Sequence, residues 1–243
     1  MALYFISDLH LDPGRPQTLA VADRWLASIE PDTTALYILG DLFETWIGDD
    51  ARDPAFDPLF VRLNDFKARG AQVFFMAGNR DFLAGPEVAR QAGWTMLEEP
   101  THLDCYGTRV ALLHGDSFCT ADPDYQRFRA QVRNPDWQRA FLSQPIARRR
   151  ELARIARQAS QSHMSQVTEE ITDVDPEAIN AFMRETGITC LIHGHTHRPA
   201  THEWVLDGTT RTRIVLGDWY EQGRILRWDA HGPNLLTVAP GSQ

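Results

Sequence analysis

Cysteine is scarce in this chain of 243 residues, and long apolar stretches are missing from it. The three cysteines stand far apart and form no Cys-x-x-Cys pair, which excludes a disulfide framework like that of small secreted domains. No stretch approaches the about 18–20 consecutive apolar residues that span a bilayer. The first residues also lack the basic and apolar segments of a secretion signal. We therefore expect a cytosolic protein with reduced thiols.

Lysine is nearly absent, because Lys67 is the single lysine among 24 basic residues. The formal net charge of −9 argues against a general nucleic-acid binder, which usually carries a positive surplus. The charge is unevenly spread: residues 127–157 hold nine arginines and two acids, a net +7 that leaves −16 for the remainder. The sequence thus combines an acidic body with one strongly basic segment.

Short apolar runs of about 4–6 residues, each ended by Gly, Asp, Asn or His, recur along the chain and are typical of buried strands. Helix-like segments separate the early runs, and this alternation predicts an α/β fold. We expect the last two strands to pair as an antiparallel hairpin, which would make the sheet mixed. The predicted strands are 3–6, 35–39, 72–76, 109–113, 189–192, 213–216 and 224–228, and the predicted helices are 17–29, 58–69 and 86–91.

Strand signals vanish between about residues 120 and 172, and three helices, 125–132, 137–142 and 147–172, are predicted there instead. Pro135 and Pro145 mark the breaks between them. Since strands resume afterwards, we interpret 120–172 as a helical cap inserted into a core formed by 1–119 and 173–243.

Side chains that bind metals follow five of the predicted strands. Since ligands bind beyond the carboxyl ends of strands in open α/β sheets, we expect these side chains to converge. Seven oxygen and nitrogen donors without thiolate are too many for one tetrahedral zinc, but they suit two octahedral divalent ions that share a bridging carboxylate, with Mn²⁺ the natural occupant. The predicted ligands are Asp8, His10, Asp41, Asn79, His114, His195 and His197.

Taken singly, most of these fragments are equally typical of turns and caps. The segment His-Gly-His-Thr-His at 193–197 is more specific, because three histidines in five residues are rare outside metal sites. For His193 itself we favour a packed position beside the ligands. His102, His163, His202 and His231 lack any motif and are interpreted as surface residues.

In order, the five fragments resemble the calcineurin-like binuclear metallophosphoesterase family, whose pattern is D-x-H, G-D, G-N-H-[DE], H and G-H-x-H. The resemblance implies a four-layer α/β/β/α sandwich in which Asp41 bridges two metals. It further implies that one metal is bound by Asp8, His10, Asp41 and His197, and the other by Asp41, Asn79, His114 and His195.

The third motif departs from the family pattern, since Arg80 stands where most members have a histidine that is thought to protonate the leaving group. Arginine, with a pKa above ~12, can neutralise charge but cannot donate a proton at neutral pH. This suits a phosphate leaving group, whose second pKa near ~6 lets it depart unprotonated. The substitution therefore favours pyrophosphate cleavage over monoester hydrolysis. The alternative is a structural ion pair between Arg80 and Asp81.

Four segments, 38–50, 78–83, 114–120 and 191–199, are similar to those of the bacterial family members that act on UDP-2,3-diacylglucosamine. This closer resemblance implies hydrolysis to UMP and 2,3-diacylglucosamine 1-phosphate in lipid A biosynthesis, by a metal-activated water that attacks the uridylyl phosphorus. It implies two Mn²⁺ per chain and a peripheral location at the cytoplasmic face of the inner membrane, and we expect a monomer that binds no nucleic acid. The implied catalytic residues are Asp41, Asn79, Arg80 and His195.

The same resemblance implies a set of substrate contacts, some of them in the cap. Met164 and Val167 stand where relatives carry a polar residue and a lysine, so charged contacts to the glucosamine phosphate are missing there. The implied contacts are Asn79, Arg80, Asp122, Tyr125, Phe128, Arg157, Ser160 and His195.

Apolar and arginine residues alternate in the cap, and two interpretations stay open. A basic amphipathic surface suits acyl chains and an anionic membrane. Amphipathic helices also commonly pack their apolar face on their own core and leave the arginines solvated. The apolar positions are Trp137, Phe141, Leu142, Ile146, Leu152 and Ile155, and the arginines are Arg139, Arg148, Arg149, Arg150, Arg154 and Arg157.

Other activities of the family compete with this interpretation. A nuclease would need a positive groove, which the acidic body does not favour. A cytosolic nucleotide hydrolase would not need an amphipathic cap. A scaffold that has lost catalysis would have lost some ligands, whereas all seven are present.

Overall fold

The computed structural model describes residues 1–164, 171–220 and 222–238, without the side chains of residues 163 and 164. The strands in these ranges are β1 (Ala2–Ile6), β2 (Thr33–Leu39), β3 (Gln72–Met76), β4 (Thr95–Leu97), β5 (Thr101–Cys105), β6 (Thr108–Leu112), β7 (Cys190–His193), β8 (Ala200–Leu206), β9 (Thr209–Val215), β10 (Gly223–Asp229) and β11 (Gly232–Val238). The helices are α1 (Pro16–Ser28), α2 (Asp57–Ala68), α3 (Pro86–Ala92), α4 (Pro123–Val132), α5 (Pro135–Leu142), α6 (Ile146–Met164) and α7 (Pro176–Thr186).

The strands form two sheets. The first has the order β11-β10-β1-β2-β3-β4, in which β1 to β4 are parallel and β10 and β11 are antiparallel to their neighbours. The second has the order β5-β6-β7-β9-β8, with β6, β7 and β9 parallel. Each sheet therefore has a parallel centre whose strands all end at one edge.

Alternation along the strands separates the buried side chains into layers. On β1, Tyr4 and Ile6 pack in the cluster that contains α1 and α2, whereas Phe5 packs between the two sheets. Helix α7 covers the outer face of the second sheet, where Met183 packs with Leu191. The layers are thus helix, sheet, sheet and helix, which confirms the predicted α/β/β/α sandwich.

Three helices begin with the same short signal, an Asp or Asn followed by proline. Asp122, Asn134 and Asp175 each accept a hydrogen bond from a backbone N–H in the first turn of α4, α5 and α7. The proline that follows needs no partner for its nitrogen and has a helical φ. Pro135 therefore starts a helix as well as marking the break before it.

All seven predicted strands coincide with observed strands, namely β1, β2, β3, β6, β7, β9 and β10, but the predicted pairing of the last two as a hairpin is wrong. Residues 213–216 lie in β9 and 224–228 in β10, and these strands belong to different sheets. The connection between them is anchored by Trp219, which is buried edge-on against Trp25 on the helical side of the first sheet. The short connection between β9 and β10 therefore crosses from the second sheet to the first.

The helical segment predicted for the insertion is present, with a shorter last helix. The described part of helix α6 runs from Ile146 to Met164, and residues 171 and 172 lie in a turn, so the predicted end at residue 172 is wrong. Residues 165–170, including Val167, and the side chain of Met164 lie outside the described set, so the departures predicted at these two positions have no structural account. Across the described ranges, no helix has the length and apolar character needed to cross a membrane.

Candidate binuclear metal site and adjoining cavity

The seven predicted ligands come together at the carboxyl edge of the two sheets. Strands β1, β2 and β3 of the first sheet lead into four of them, and β6 and β7 of the second sheet lead into the other three. Two groups of carboxylates and imidazoles have ligand atoms within 4.8 Å of one another: Asp8 with His10 and His197, and Asp8 with Asp41 and His114. The site is therefore built where the edges of both sheets meet.

The backbone at the site is strained in a characteristic way. Seven non-glycine residues in the described chain have a positive φ, and five of them are predicted ligands. Positive φ is uncommon for residues with a Cβ, and such strain persists only where surrounding contacts enforce it. Here Asp8 N donates to Gly40 O at 3.0 Å and His10 N to Asp41 O at 3.0 Å. The five residues are Asp8 (56°), His10 (47°), Asp41 (53°), His195 (67°) and His197 (56°).

One half of the site is formed by Asp8, His10 and His197. The Nε2 atoms of His10 and His197 lie 3.2 Å apart, and His197 Nε2 is 3.4 Å from Asp8 Oδ1. Asp8 Oδ1 is buried without a hydrogen-bond donor among the described residues. A buried carboxylate oxygen of this kind is costly unless a cation or donor meets it.

The other half is formed by Asp41, Asn79, His114 and His195. Asn79 Oδ1 lies 2.9 Å from His114 Nε2 and 3.0 Å from His195 Nδ1. Asp41 faces both halves, because its Oδ1 is 3.7 Å from His114 Nε2 and its Oδ2 is 3.9 Å from His10 Nε2. This position between the halves is the one that a bridging ligand needs.

The surrounding carboxylates favour positive charge at the site. Burial lowers the pKa of His114, but Asp41 and Asp116 outweigh it and raise that pKa to about 9. Burial likewise opposes a charge on His197, but the carboxylates of Asp218 and Asp8 raise its pKa to about 10. Oxygen and nitrogen donors in a field that attracts cations fit two divalent metal ions.

Three of the ligand histidines are oriented by a second contact. His114 Nδ1 lies 2.9 Å from Leu39 O, His197 Nδ1 lies 3.1 Å from Asp218 Oδ2, and His10 Nδ1 lies 3.2 Å from Glu44 Oε2. Such contacts fix the ring and leave the lone pair of Nε2 directed at the site. Sequence reasoning missed Glu44 and Asp218: Glu44 lies inside the 38–50 segment, but no motif marks Asp218.

Asp81 holds the loops of Asp41 and Asn79 together. Its buried carboxylate accepts hydrogen bonds from the backbone N–H groups of Gly78 at 2.8 Å and Leu42 at 2.7 Å, among others. Gly78 has to be glycine, because a Cβ there would lie 2.2 Å from Asp41 Oδ1. The sequence analysis gave an ion pair with Asp81 as the alternative for Arg80, and the described contacts contain no such pair. Instead, Arg80 N donates to Asp41 Oδ1 at 2.8 Å.

A cavity of about 620 Å³ opens beside the site, between the core and helices α4 to α6. Its walls are mostly apolar and include Phe82, Trp137 and Phe141. Six of the eight predicted substrate contacts line it: Asn79, Arg80, Tyr125, Phe128, Arg157 and Ser160.

The other two predicted contacts have different surroundings. Asp122 caps α4, where its Oδ1 accepts from Tyr125 N at 2.9 Å. His195 lies under the Tyr125 ring, with ring centroids 5.8 Å apart. Tyr125 OH in turn donates to Asp116 Oδ2 at 3.0 Å, which fixes the ring over the metal ligand.

The cap arginines do not act as one surface. Arg149 is 2% exposed, and its guanidinium donates to Ile47 O at 2.6 Å and to the Asp50 carboxylate. Arg149 therefore does not belong to the membrane surface that one of the two interpretations describes, because it anchors α6 to the core.

Of the six predicted apolar positions in the cap, four pack on the core and two are exposed. Trp137, Phe141, Ile146 and Leu152 pack on the large core cluster, as the packing alternative requires. Leu142 and Ile155 are exposed. The cap therefore uses most of its apolar surface to pack on the body.

The fold and the cluster of candidate metal ligands define a class, that of metallophosphoesterases. The sequence pattern of the calcineurin-like phosphoesterase family matches residues 1–199, and the chain belongs to that family.

Similar curated proteins are named more specifically. The chain is 50% identical to the UDP-2,3-diacylglucosamine hydrolase of Stenotrophomonas maltophilia strain K279a, across 98% of this chain and 99% of that protein. It is also 50% identical to the UDP-2,3-diacylglucosamine hydrolase of Xanthomonas axonopodis pv. citri strain 306, across 98% of this chain and 100% of that protein. A solved archaeal phosphodiesterase superposes with a TM-score of 0.48 at 12% identity, over 98% of this chain and 100% of that one.

Proposed function

We propose that this protein hydrolyses the pyrophosphate bond of UDP-2,3-diacylglucosamine and releases UMP and 2,3-diacylglucosamine 1-phosphate, a step of lipid A biosynthesis. The names of relatives that are 50% identical over nearly the whole chain support this substrate. The observation that carries the proposal is the junction of two features: a seven-donor metal site and an apolar cavity of about 620 Å³, with Asn79 and Arg80 in the wall they share. A lipid-linked pyrophosphate needs both.

We propose two Mn²⁺ ions as the cofactor. Asp8, His10 and His197 would hold one ion, Asn79, His114 and His195 the other, with Asp41 shared between them. When bound, a pair of divalent ions would supply an activated water as nucleophile and would neutralise charge on the phosphoryl oxygens. The chain's own contribution is to hold the donors in place, five of them through a positive-φ backbone at the donor residue itself.

Arg80 is a cationic group in the cavity wall, next to the predicted ligand Asn79, and we propose that it meets the pyrophosphate. Its guanidinium remains cationic throughout the reaction, so it stabilises negative charge that develops on the bridging oxygen without transferring a proton. The lipid phosphate can leave unprotonated because its second pKa is near ~6. This role explains an arginine at a position where a proton donor would be unnecessary.

The helical segment 120–172 is proposed as the cap that holds the acyl chains. Phe128 lines the cavity and is also 43% exposed, which places it at the cavity's rim. We propose that this rim, together with exposed Leu142 and Ile155, meets the cytoplasmic face of the inner membrane, from which a diacylated substrate must be taken. Replacing Leu142 and Ile155 with serine should weaken binding to anionic vesicles, and unchanged binding would contradict this contact.

The catalytic unit is proposed to be a monomer. All seven donors come from one chain, and so do the described residues that line the cavity. A second copy is therefore not needed to complete the site.

The test is hydrolysis of UDP-2,3-diacylglucosamine in detergent micelles by protein first stripped of metal and then supplied with Mn²⁺. UMP should appear with Mn²⁺ and not with chelator. UDP-N-acetylglucosamine, which has the same pyrophosphate without the acyl chains at the 2 and 3 positions, should be cleaved far more slowly. In water enriched with oxygen-18, the label should enter UMP. Label in the lipid phosphate, or equal rates on both substrates, would contradict the proposal.

A further inference from the structure

Glu44 stands at the contact between the candidate metal site and the cap, and the 38–50 segment that contains it assigns it no role. Its backbone is fixed by the core: Glu44 N donates to Leu11 O at 3.0 Å, next to a bridge between Leu11 and Phe43. The side chain is 14% exposed, so little of it is available to solvent. The position of its carboxylate is therefore defined by the fold.

One contact of this carboxylate reaches a predicted metal ligand. Glu44 Oε2 lies 3.2 Å from His10 Nδ1, on the side of the ring opposite to the site. A carboxylate there keeps the proton on Nδ1 and the lone pair on Nε2, which lies 3.9 Å from Asp41 Oδ2. Tyr220 secures the same ring, because it stacks on His10 at 5.2 Å and its OH donates to Glu44 Oε2 at 3.3 Å.

The other oxygen reaches the cap. Arg157 Nη2, from helix α6, lies 2.5 Å from Glu44 Oε1. The Arg157 side chain is 28% exposed, so this pair is shielded more than an ordinary surface pair. Arg15 Nη2 also donates to Glu44 Oε2 at 3.2 Å, so the carboxylate is held from the core side as well. Arg157 lines the cavity too, and the pair thus sits in the cavity wall.

We propose that Glu44 is a positioning residue that orients the metal ligand His10 and, through Arg157, seats the cap helix over the cavity. This rests on the proposed function for the identity of the lipid substrate, but its metal-binding part does not. In this proposal Arg157 seats helix α6 by pairing with Glu44, in addition to any contact that it makes with the substrate.

Two substitutions of Glu44 separate its contact with His10 from its contact with Arg157. In Glu44→Gln an amide oxygen remains within reach of His10 Nδ1, whereas the charge that attracts Arg157 is gone. Glu44→Ala removes both. Isothermal titration of metal-free protein with Mn²⁺ should show near wild-type affinities for Glu44→Gln. For Glu44→Ala, one of the two ions should bind about 10–100-fold more weakly. Wild-type affinity for both ions in Glu44→Ala would overturn the orienting role.

A double-mutant cycle tests the contact with Arg157. Glu44→Gln and Arg157→Gln should each raise KM for the lipid substrate while most of kcat remains at saturating Mn²⁺. The KM of the double variant should be no higher than that of the poorer single variant, because each substitution breaks the same Glu44–Arg157 interaction. KM effects that multiply in the double variant would overturn the link and leave Arg157 as an independent contact.

A matched control lies on helix α6, the helix that carries Arg157. Glu151 pairs with Arg148 on the surface, each 52% exposed, so Glu151→Ala should change neither metal affinity nor KM. Thermal unfolding of every variant identifies any loss of folding. If the wild-type protein fails to cleave the lipid substrate, the proposed function fails, and the metal titration still decides the role of Glu44.

Discussion

At the scale of single residues, the candidate metal site consists of side chains that follow strand ends and of supporting partners that lie elsewhere in the chain. Side chains such as Asp41 and His114 were predictable because they directly follow strands that end at one edge. Their supporting partners were less predictable. Asp218 reaches His197 from the link between two sheets, a contact that depends on the tertiary path of the chain.

Arg80→Ala should lower kcat for the pyrophosphate substrate by about 10²–10³, the range typical of losing one group that stabilises transition-state charge. The reason is that Arg80 adds charge at the cavity wall without binding metal. Metal content, measured by elemental analysis, should stay normal. Loss of metal along with activity would mean that the Arg80 side chain supports the structure of the site and does not act only on the substrate.

Metal binding should release protons and weaken as the pH falls. Without ions, the raised pKa values of His114, about 9, and of His197, about 10, keep these rings protonated at neutral pH. A metal must displace those protons, so affinity should rise with pH until both rings are neutral. Calorimetry in buffers of different ionisation enthalpy measures the protons released. Affinity that is independent of pH across the neutral range would contradict this account.

At the scale of elements, strands with a buried face were predictable and exposed ones were not. The run 72–76 corresponds to β3 because its apolar residues face two cores. Strands β8 and β11 are largely exposed and lack an apolar run, so no signal marked them. The hairpin prediction failed because sequence spacing does not reveal a crossing between sheets.

Helix α6 should depend on Arg149 and not on its neighbour. Arg149→Ala removes hydrogen bonds from a buried guanidinium to Ile47 O and Asp50, so we expect a loss of about 1.5–3 kcal/mol in the free energy of unfolding. Arg148→Ala breaks an exposed pair with Glu151 and should cost at most about 1 kcal/mol. Urea denaturation compares them. Equal losses in the two variants would contradict the anchoring role.

At the scale of the whole molecule, the site exists because two sheets stack with their carboxyl edges together. Asp8 and Asp41 come from the first sheet, and His114 and His195 from the second. Neither sheet alone carries a complete set of ligands, so the sandwich and the site form together. The order of motifs along the sequence indicated this fold through its resemblance to the family, whereas the strand pattern alone indicated only an α/β protein.

The most direct test of the account is the number of metal ions that the folded protein retains. Protein loaded with Mn²⁺ and freed of unbound ions by gel filtration should carry two ions per chain by elemental analysis. Asp41→Ala should lose both ions and all activity, because that carboxylate faces both halves of the site. A wild-type chain that holds one ion or none, or an Asp41→Ala variant that keeps two, would contradict it.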